Sequence, residues 1–273
     1  MKNFNGKVAL IVGASSGIGR KLAIRLSGEG VRVVATARRK GRLNALAVEI
    51  ARKGGVCAVY AADAEDPSEA ERVVQACLTL HGRIDMVFLN AGGAPAIDMR
   101  NMAAREVTAY MRSNYDVAVN YLFPVLHQMK LQRDGLVFQT NSLAGFLGVP
   151  LQGPYSAAKG ALRLLIDTCR VEFSEFGVRF VSVYPGFIAT EATANDGMPA
   201  PMELTEEQAV NHLMFALRRE LWDYLFPLRM RWLIRLAMFL PKRITTRILR
   251  MEVPPLPVDT PTPVFNDDLH EGP

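Results

Sequence analysis

The chain has 273 residues, 49% of them hydrophobic, which is enough to cover both faces of one large sheet and makes a single α/β domain the first expectation. A formal charge of +5, with no Lys/Arg block interleaved with aromatics, leaves nucleic-acid binding without support. The three cysteines, Cys57, Cys77 and Cys169, are odd in number and lie in apolar segments, so buried thiols in a reducing cytoplasm are expected rather than disulfides or a metal site. No charged segment followed by a long apolar one opens the sequence, so export is not expected.

In chain order, the apolar run Lys7 to Val12 reads as a strand, followed by a helix from about Gly17 to Glu29 and a strand from Val31 to Thr36. Further strands are predicted at Val56 to Tyr60, Ile84 to Asn90, Gly135 to Thr140, Val178 to Tyr184 and Leu221 to Phe226. Helices are predicted near 40 to 53, 67 to 81, 103 to 133 and 155 to 176. Strand and helix alternate, so the expected architecture is a doubly wound parallel (Rossmann) sheet of about seven strands with helices on both faces. No repeat or Gly/Ser linker suggests a second domain, and the expected unit is residues 1–252. The Pro-rich stretch 253–273 is expected to be a loose tail.

Gly13, Ala14, Ser15, Ser16, Gly17, Ile18 and Gly19 fall where the first strand gives way to a helix. Glycines there let the backbone turn sharply and approach a pyrophosphate, while the helix N-terminus offers free N–H groups and partial positive charge. At the end of the second strand, where a carboxylate would bind the adenosine ribose hydroxyls, the sequence reads Thr36-Ala37-Arg38-Arg39. An acid would repel a 2′-phosphate and a guanidinium would hold it, so Arg38, with Ser15 and Arg39, argues for NADP(H). The bland reading is a solvated basic face that opens the next helix, since Lys40 and Arg42 follow.

The spacing of Gly13, Gly17 and Gly19 resembles the cofactor turn of the short-chain dehydrogenase/reductase family, and further motifs follow in register over roughly residues 5 to 220. Asp63 matches the family's adenine-contacting aspartate, and Asn90-Ala91-Gly92 matches its NAG segment. Asn114 matches the helix asparagine, Ser142 the catalytic serine, and Tyr155 with Lys159 the YxxxK pair. Pro185, Gly186, Ile188 and Thr190 match the PGxIxT segment at the nicotinamide end. Two positions depart from the pattern: Val12 replaces a threonine and Leu89 an asparagine, which trims local hydrogen bonds without removing a reacting group.

The resemblance implies an enzyme that interconverts a ketone and a secondary alcohol, with Tyr155 as acid/base and Ser142 bonded to the substrate oxygen. It also implies that Asn114 holds a water on a proton path from Lys159. Tyr155 and Lys159 are four apart on a helix and project from one face. A phenol with a pKa of about 10 is a poor acid near neutrality. A lysine cation about 4 Å away at an effective dielectric of about 20 would favour the phenolate by about 4 kcal/mol, about three pKa units. The competing readings are a non-catalytic NADP(H)-binding regulatory or scaffold protein, which an intact Ser/Tyr/Lys set disfavours, and a methyltransferase, which would not need that set. By the same resemblance a homodimer or homotetramer is expected.

Leu143, Phe146, Leu147, Val149, Phe187, Met198 and Met202 are apolar and suggest a hydrophobic or lipid-like carbonyl or alcohol substrate, with Ala192 to Pro201 as a lid. From Leu225 to Met251 there are seven basic residues and no acid, with Trp232, Leu233, Leu236, Phe239 and Leu240 spaced as a helical stripe. Charges interrupt it too often for a membrane span. The expectations for 228–251 are that this basic helix packs on a partner subunit, caps the pocket, or attaches peripherally to anionic lipid.

Overall fold

The computed structural model describes residues 3–191, 200 and 202–251. Seven strands form one sheet in the order β3-β2-β1-β4-β5-β6-β9, and every neighbouring pair is parallel. They are β1 (Val8–Val12), β2 (Arg32–Ala37), β3 (Val56–Ala61), β4 (Met86–Leu89), β5 (Gly135–Thr140), β6 (Val178–Pro185) and β9 (Asp223–Phe226). The short strands β7 (Ile188–Ala189) and β8 (Leu204–Thr205) pair separately, also in parallel.

The central strands β1 and β4 are apolar throughout because both faces are covered. Ala9 and Ile11 enter one core with Leu22 and Leu26 of α1 (Gly17–Ser27), Leu43 and Leu46 of α2 (Lys40–Arg52), and Leu213 and Leu217 of α7 (Glu206–Arg219). Val8, Leu10 and Val12 enter the other with α3 (Pro67–His81), α5 (Val117–Gln132) and α6 (Gly153–Glu172). This period-two split is what alternation of side chains across a strand requires. Val12 and Leu89, the two departures from the family pattern, are buried side by side in register.

The chain moves outward from β1 to β3 and returns to place β4 on the other side of β1. That reversal opens a crevice beyond the carboxyl ends of β1 and β4, the usual ligand position in such sheets.

Several elements differ from the sequence expectation, the unexpected short strands β7 and β8 among them. The helix expected over 103 to 133 is α4 (Ala104–Met111), then a π-helical turn at Arg112–Asp116, then α5. The helix α7 was not anticipated, although Thr205 Oγ1 accepts a hydrogen bond from the Gln208 N–H and Gln208 Oε1 accepts one from the Thr205 N–H, a readable capping box. The basic helix is two helices, α8 (Leu228–Phe239) and α9 (Lys242–Met251). Pro241 disfavours helical backbone at the preceding residue, and Leu240 is extended. The last strand of the sheet begins at Asp223 rather than Leu221. The expected lid, except Ala200, and the tail 253–273 lie outside the described residues.

Candidate active site

The crevice is built first by the turn after β1. The N–H groups of Gly13 and Ala14 donate to the Thr36 carbonyl at 2.9 and 3.2 Å, folding the chain across the end of β2. Gly13 has φ +82°, and a Cβ there would lie 2.8 Å from the Ala91 nitrogen, so only glycine lets this turn touch the segment after β4. Ser16 precedes α1 without capping it through its side chain, and the first turn holds no acid. These N–H groups are therefore available to an anion. Arg39 donates to Ser15 Oγ at 3.1 Å and Ser16 Oγ at 2.7 Å, and both Arg38 and Arg39 are exposed. Of the expected set of Arg38, Ser15 and Arg39, the structure joins Arg39 to the turn through Ser15. A cleft of about 270 Å³ opens there, lined by Ser15, Ser16, Gly17, Arg42, Glu191 and Glu206. Arg42 and Glu191 are paired across it, with one contact of 2.7 Å. Thr190 approaches the same turn, since a Cβ on Gly17 would lie 3.9 Å from its methyl group.

Beyond β4, Asn90 Oδ1 accepts from Thr140 Oγ1 at 2.5 Å, while its Nδ2 is buried with no partner among the described residues. A buried donor left over at a cleft is a place for a ligand acceptor. Gly92 has φ +134°, and a Cβ on it would meet Asn114 Oδ1 at 2.8 Å and Lys159 Nζ at 3.6 Å. Asn114 and Lys159 thus flank this backbone. The π-helical turn carries Asn114 toward it, as such turns often do at functional sites. Asn114 Oδ1 accepts from the Gly93 N–H at 3.0 Å, and its Nδ2 donates to the Tyr110 carbonyl at 3.3 Å and Ser113 Oγ at 3.2 Å. These contacts hold the Gly92–Gly93 backbone in place. Asp63 spends one carboxylate oxygen on the Glu65 N–H at 3.0 Å.

At the end of β5, Ser142 Oγ accepts from the Ala144 N–H at 3.1 Å and shares a hydrogen bond with Tyr155. Lys159 is buried, lies 5.5 Å from the centre of the Tyr155 ring and donates to the Thr140 carbonyl at 3.5 Å. Burial lowers the Lys159 pKa to about 8. Burial also pushes the Tyr155 phenol above its ordinary value, against a lowering by the Ser142 hydrogen bond. In the chain without cofactor, desolvation outweighs the hydrogen bond at this phenol. A raised phenol is protonated near neutrality and can donate. Thr140 and Asn141, which sequence reading missed, support the set: Asn141 accepts from the Ser142 N–H at 2.8 Å and donates to the Lys159 carbonyl at 3.1 Å. Their position just before Ser142 at a strand end was the available signal.

On the neighbouring side, Leu143, Tyr184 and Leu225 form a small buried cluster with Phe146, Met230 and Ile234 against it. Gly186 donates to the Phe226 carbonyl at 2.8 Å, and Ile188 is buried in the core under α7. Pro185 ends β6. The anticipated substrate residues Leu143 and Phe146 thus share an apolar patch beside Ser142, while Met198 lies outside the described residues.

A parallel seven-stranded sheet with a glycine turn, an NAG segment and a Ser/Tyr/Lys set at its carboxyl edge defines a dinucleotide-dependent oxidoreductase architecture. The short chain dehydrogenase family model matches residues 7–199, and the chain belongs to that family. It is 32% identical to an uncharacterized oxidoreductase of Myxococcus xanthus (strain DK1622), over 88% of this chain and 95% of that protein. It is 31% identical to a 3-oxoacyl-[acyl-carrier-protein] reductase of Synechocystis sp. (strain PCC 6803), over 71% and 79%. A short-chain type dehydrogenase/reductase from Mycobacterium marinum superposes with a TM-score of 0.76 at 26% identity, covering 82% of this chain and 95% of that one. The protein is an oxidoreductase of a family that uses a nicotinamide cofactor, NAD or NADP. The free helix N-terminus, the close glycine turn and the unpartnered Asn90 amide fit such a group.

Proposed function

We propose that this chain is an NADP(H)-dependent oxidoreductase interconverting a ketone and a secondary alcohol on a hydrophobic or lipid-like substrate. The observation that carries the proposal is the convergence of Ser142, Tyr155 and Lys159 at the carboxyl edge of the sheet, beside the Asn90–Gly92 backbone. Gly13, Ser15, Ser16, Gly17, Ile18 and Gly19 would hold the pyrophosphate, Asp63 the adenine, and Asn90, Ala91, Gly92, Pro185, Gly186, Ile188 and Thr190 the nicotinamide end. The nicotinamide supplies or accepts the hydride. In reduction Tyr155 gives its proton to the carbonyl oxygen, Ser142 bonds that oxygen as charge develops, and Lys159 stabilises the phenolate left behind. Asn114 holds the Gly92–Gly93 backbone against which the ring would lie. The preference for NADP(H) rests on the absence of a carboxylate at the end of β2 and on Arg39 standing at the turn, with Arg38 beside it.

The apolar patch of Leu143 and Phe146 supports a hydrophobic substrate, in keeping with the Synechocystis relative named for reducing an oxoacyl chain. The family's usual association of subunits finds a surface in α6, where Leu164 and Val171, seven apart, are both exposed. Residues 1–252 are read as one catalytic unit. Cofactor oxidation is measured with NADPH and with NADH against ketones graded by size. NADPH turnover with apolar ketones supports the proposal, and a clear NADH preference overturns the reading of Arg38 and Arg39.

A further inference from the structure

The two C-terminal helices leave an unusual surface. On α8, Met230, Ile234 and Ala237 face the body of the protein, Met230 and Ile234 packing on the Leu143–Tyr184–Leu225 cluster. The opposite face carries Leu228, Trp232, Leu236 and Phe239, with Trp232 59% and Phe239 88% exposed. On α9, Ile244 and Ile248 are exposed one helical turn apart, with Arg243, Arg247 and Arg250 forming an adjacent row. The inner sides of both helices, with Phe146 and Leu147, wall a cavity of about 380 Å³.

Of the seven cations in this stretch, Arg229, Arg235, Arg243, Arg247 and Arg250 are exposed, Arg231 is half-buried and Lys242 lines the cavity, and no acid occurs between Leu225 and Met251. None of the seven forms an ion pair with another described residue. Arg231 and Arg235 instead lie 5.8 and 5.6 Å from the Trp232 ring. No helix among the described residues is long and apolar enough to cross a membrane.

We infer that the outer face of α8 and α9 docks on an anionic lipid surface, lying in its plane with Trp232, Leu236 and Phe239 inserted among the headgroups. Exposed apolar side chains bordered by unpaired cations are the composition of an interfacial helix, and tryptophan is favoured at that depth. A second copy is the competing occupant, but a two-fold contact would set two such cation rows against each other, with no acid in α8 or α9 to meet them. The inference stands apart from the proposed reaction, because vesicle binding and cofactor turnover fail independently.

The test is flotation of the full chain with vesicles of phosphatidylcholine alone or mixed with phosphatidylserine, at low and high salt. Binding to the anionic vesicles, weakened by salt, is expected. Arg243→Gln/Arg247→Gln/Arg250→Gln should weaken it about a hundredfold, and Trp232→Ser/Phe239→Ser should abolish it. Both variants should keep the parent circular dichroism spectrum and thermal midpoint, since these side chains face outward. Equal recovery with both vesicle types, or unchanged binding by both variants, overturns the inference. A dimer lost in Trp232→Ser/Phe239→Ser, without vesicle binding by the parent, assigns the face to a second copy and overturns it as well.

Discussion

Lys159 sits where burial decides its charge. With its pKa lowered to about 8 from an ordinary 10.5, it changes charge close to physiological pH. Ketone reduction needs this cation beside the phenolate, so kcat/KM for reduction should fall as pH rises past about 8, a limb that Lys159→Met should remove along with most of the activity. The linkage sign follows from the lowered value. Folding disfavours the charged form, so this residue destabilises the fold below about 8, and stability recovers as pH rises from there toward 10.5. Denaturant midpoints across that interval read the effect. Gly92 offers a second test: Gly92→Ala places a Cβ 2.8 Å from Asn114 Oδ1 at a left-handed φ, and should cost about 1–3 kcal/mol and weaken NADPH binding at least about tenfold by titration. At this scale the sequence names the reacting groups, since motif spacing carries them. It does not reveal their protonation, because desolvation of Tyr155 is a property of what packs around it. That Arg39 turns back to Ser15 was unreadable for a like reason, since it depends on how α2 begins.

Elements were legible where one local signal sufficed. Asp66 before Pro67 caps α3, accepting from the Ser68 N–H at 2.8 Å, and Gly82 ends it in the left-handed conformation, as the letters alone suggest. The π-helical turn at Arg112–Asp116 has no such signature, since one extra residue per turn is fixed by where Asn114 must point. The helix α7 could have been found from Thr205 and Gln208. Because that box closes the N-terminus of a helix whose Leu213 and Leu217 are buried, Thr205→Ala should cost about 1 kcal/mol in urea unfolding. An unchanged midpoint would show that the cap contributes nothing.

For the whole molecule, the parallel sheet was implied by alternation, since parallel strands need helical crossovers. What a helix packs against is not written in its own period, so the pattern of 228–251 gave an amphipathic stretch without saying which stripe faces outward. One tie across the sheet depends on a single carboxylate. Asp85 is buried and accepts from Lys7 Nζ and the Val8 N–H, each at 2.9 Å, and from Arg83 Nη2 at 2.6 Å. Burial alone would raise its pKa, but these three donors hold it below the ordinary 3.8. Its contribution is present above 3.8 and is lost as pH falls through the depressed value. Asp85→Ala should cost about 1–3 kcal/mol in denaturant unfolding, because it strands the buried Val8 N–H, while Lys7 and Arg83 remain open to solvent.

The central claim is that Tyr155 moves the proton while the rest of the crevice holds the cofactor. Its most direct test compares the parent and Tyr155→Phe for NADPH affinity by fluorescence titration and for ketone-dependent NADPH oxidation in the same preparation. Turnover should drop at least about a thousandfold with affinity unchanged, because only a transferable proton is lost. Turnover within a few fold of the parent would contradict the account.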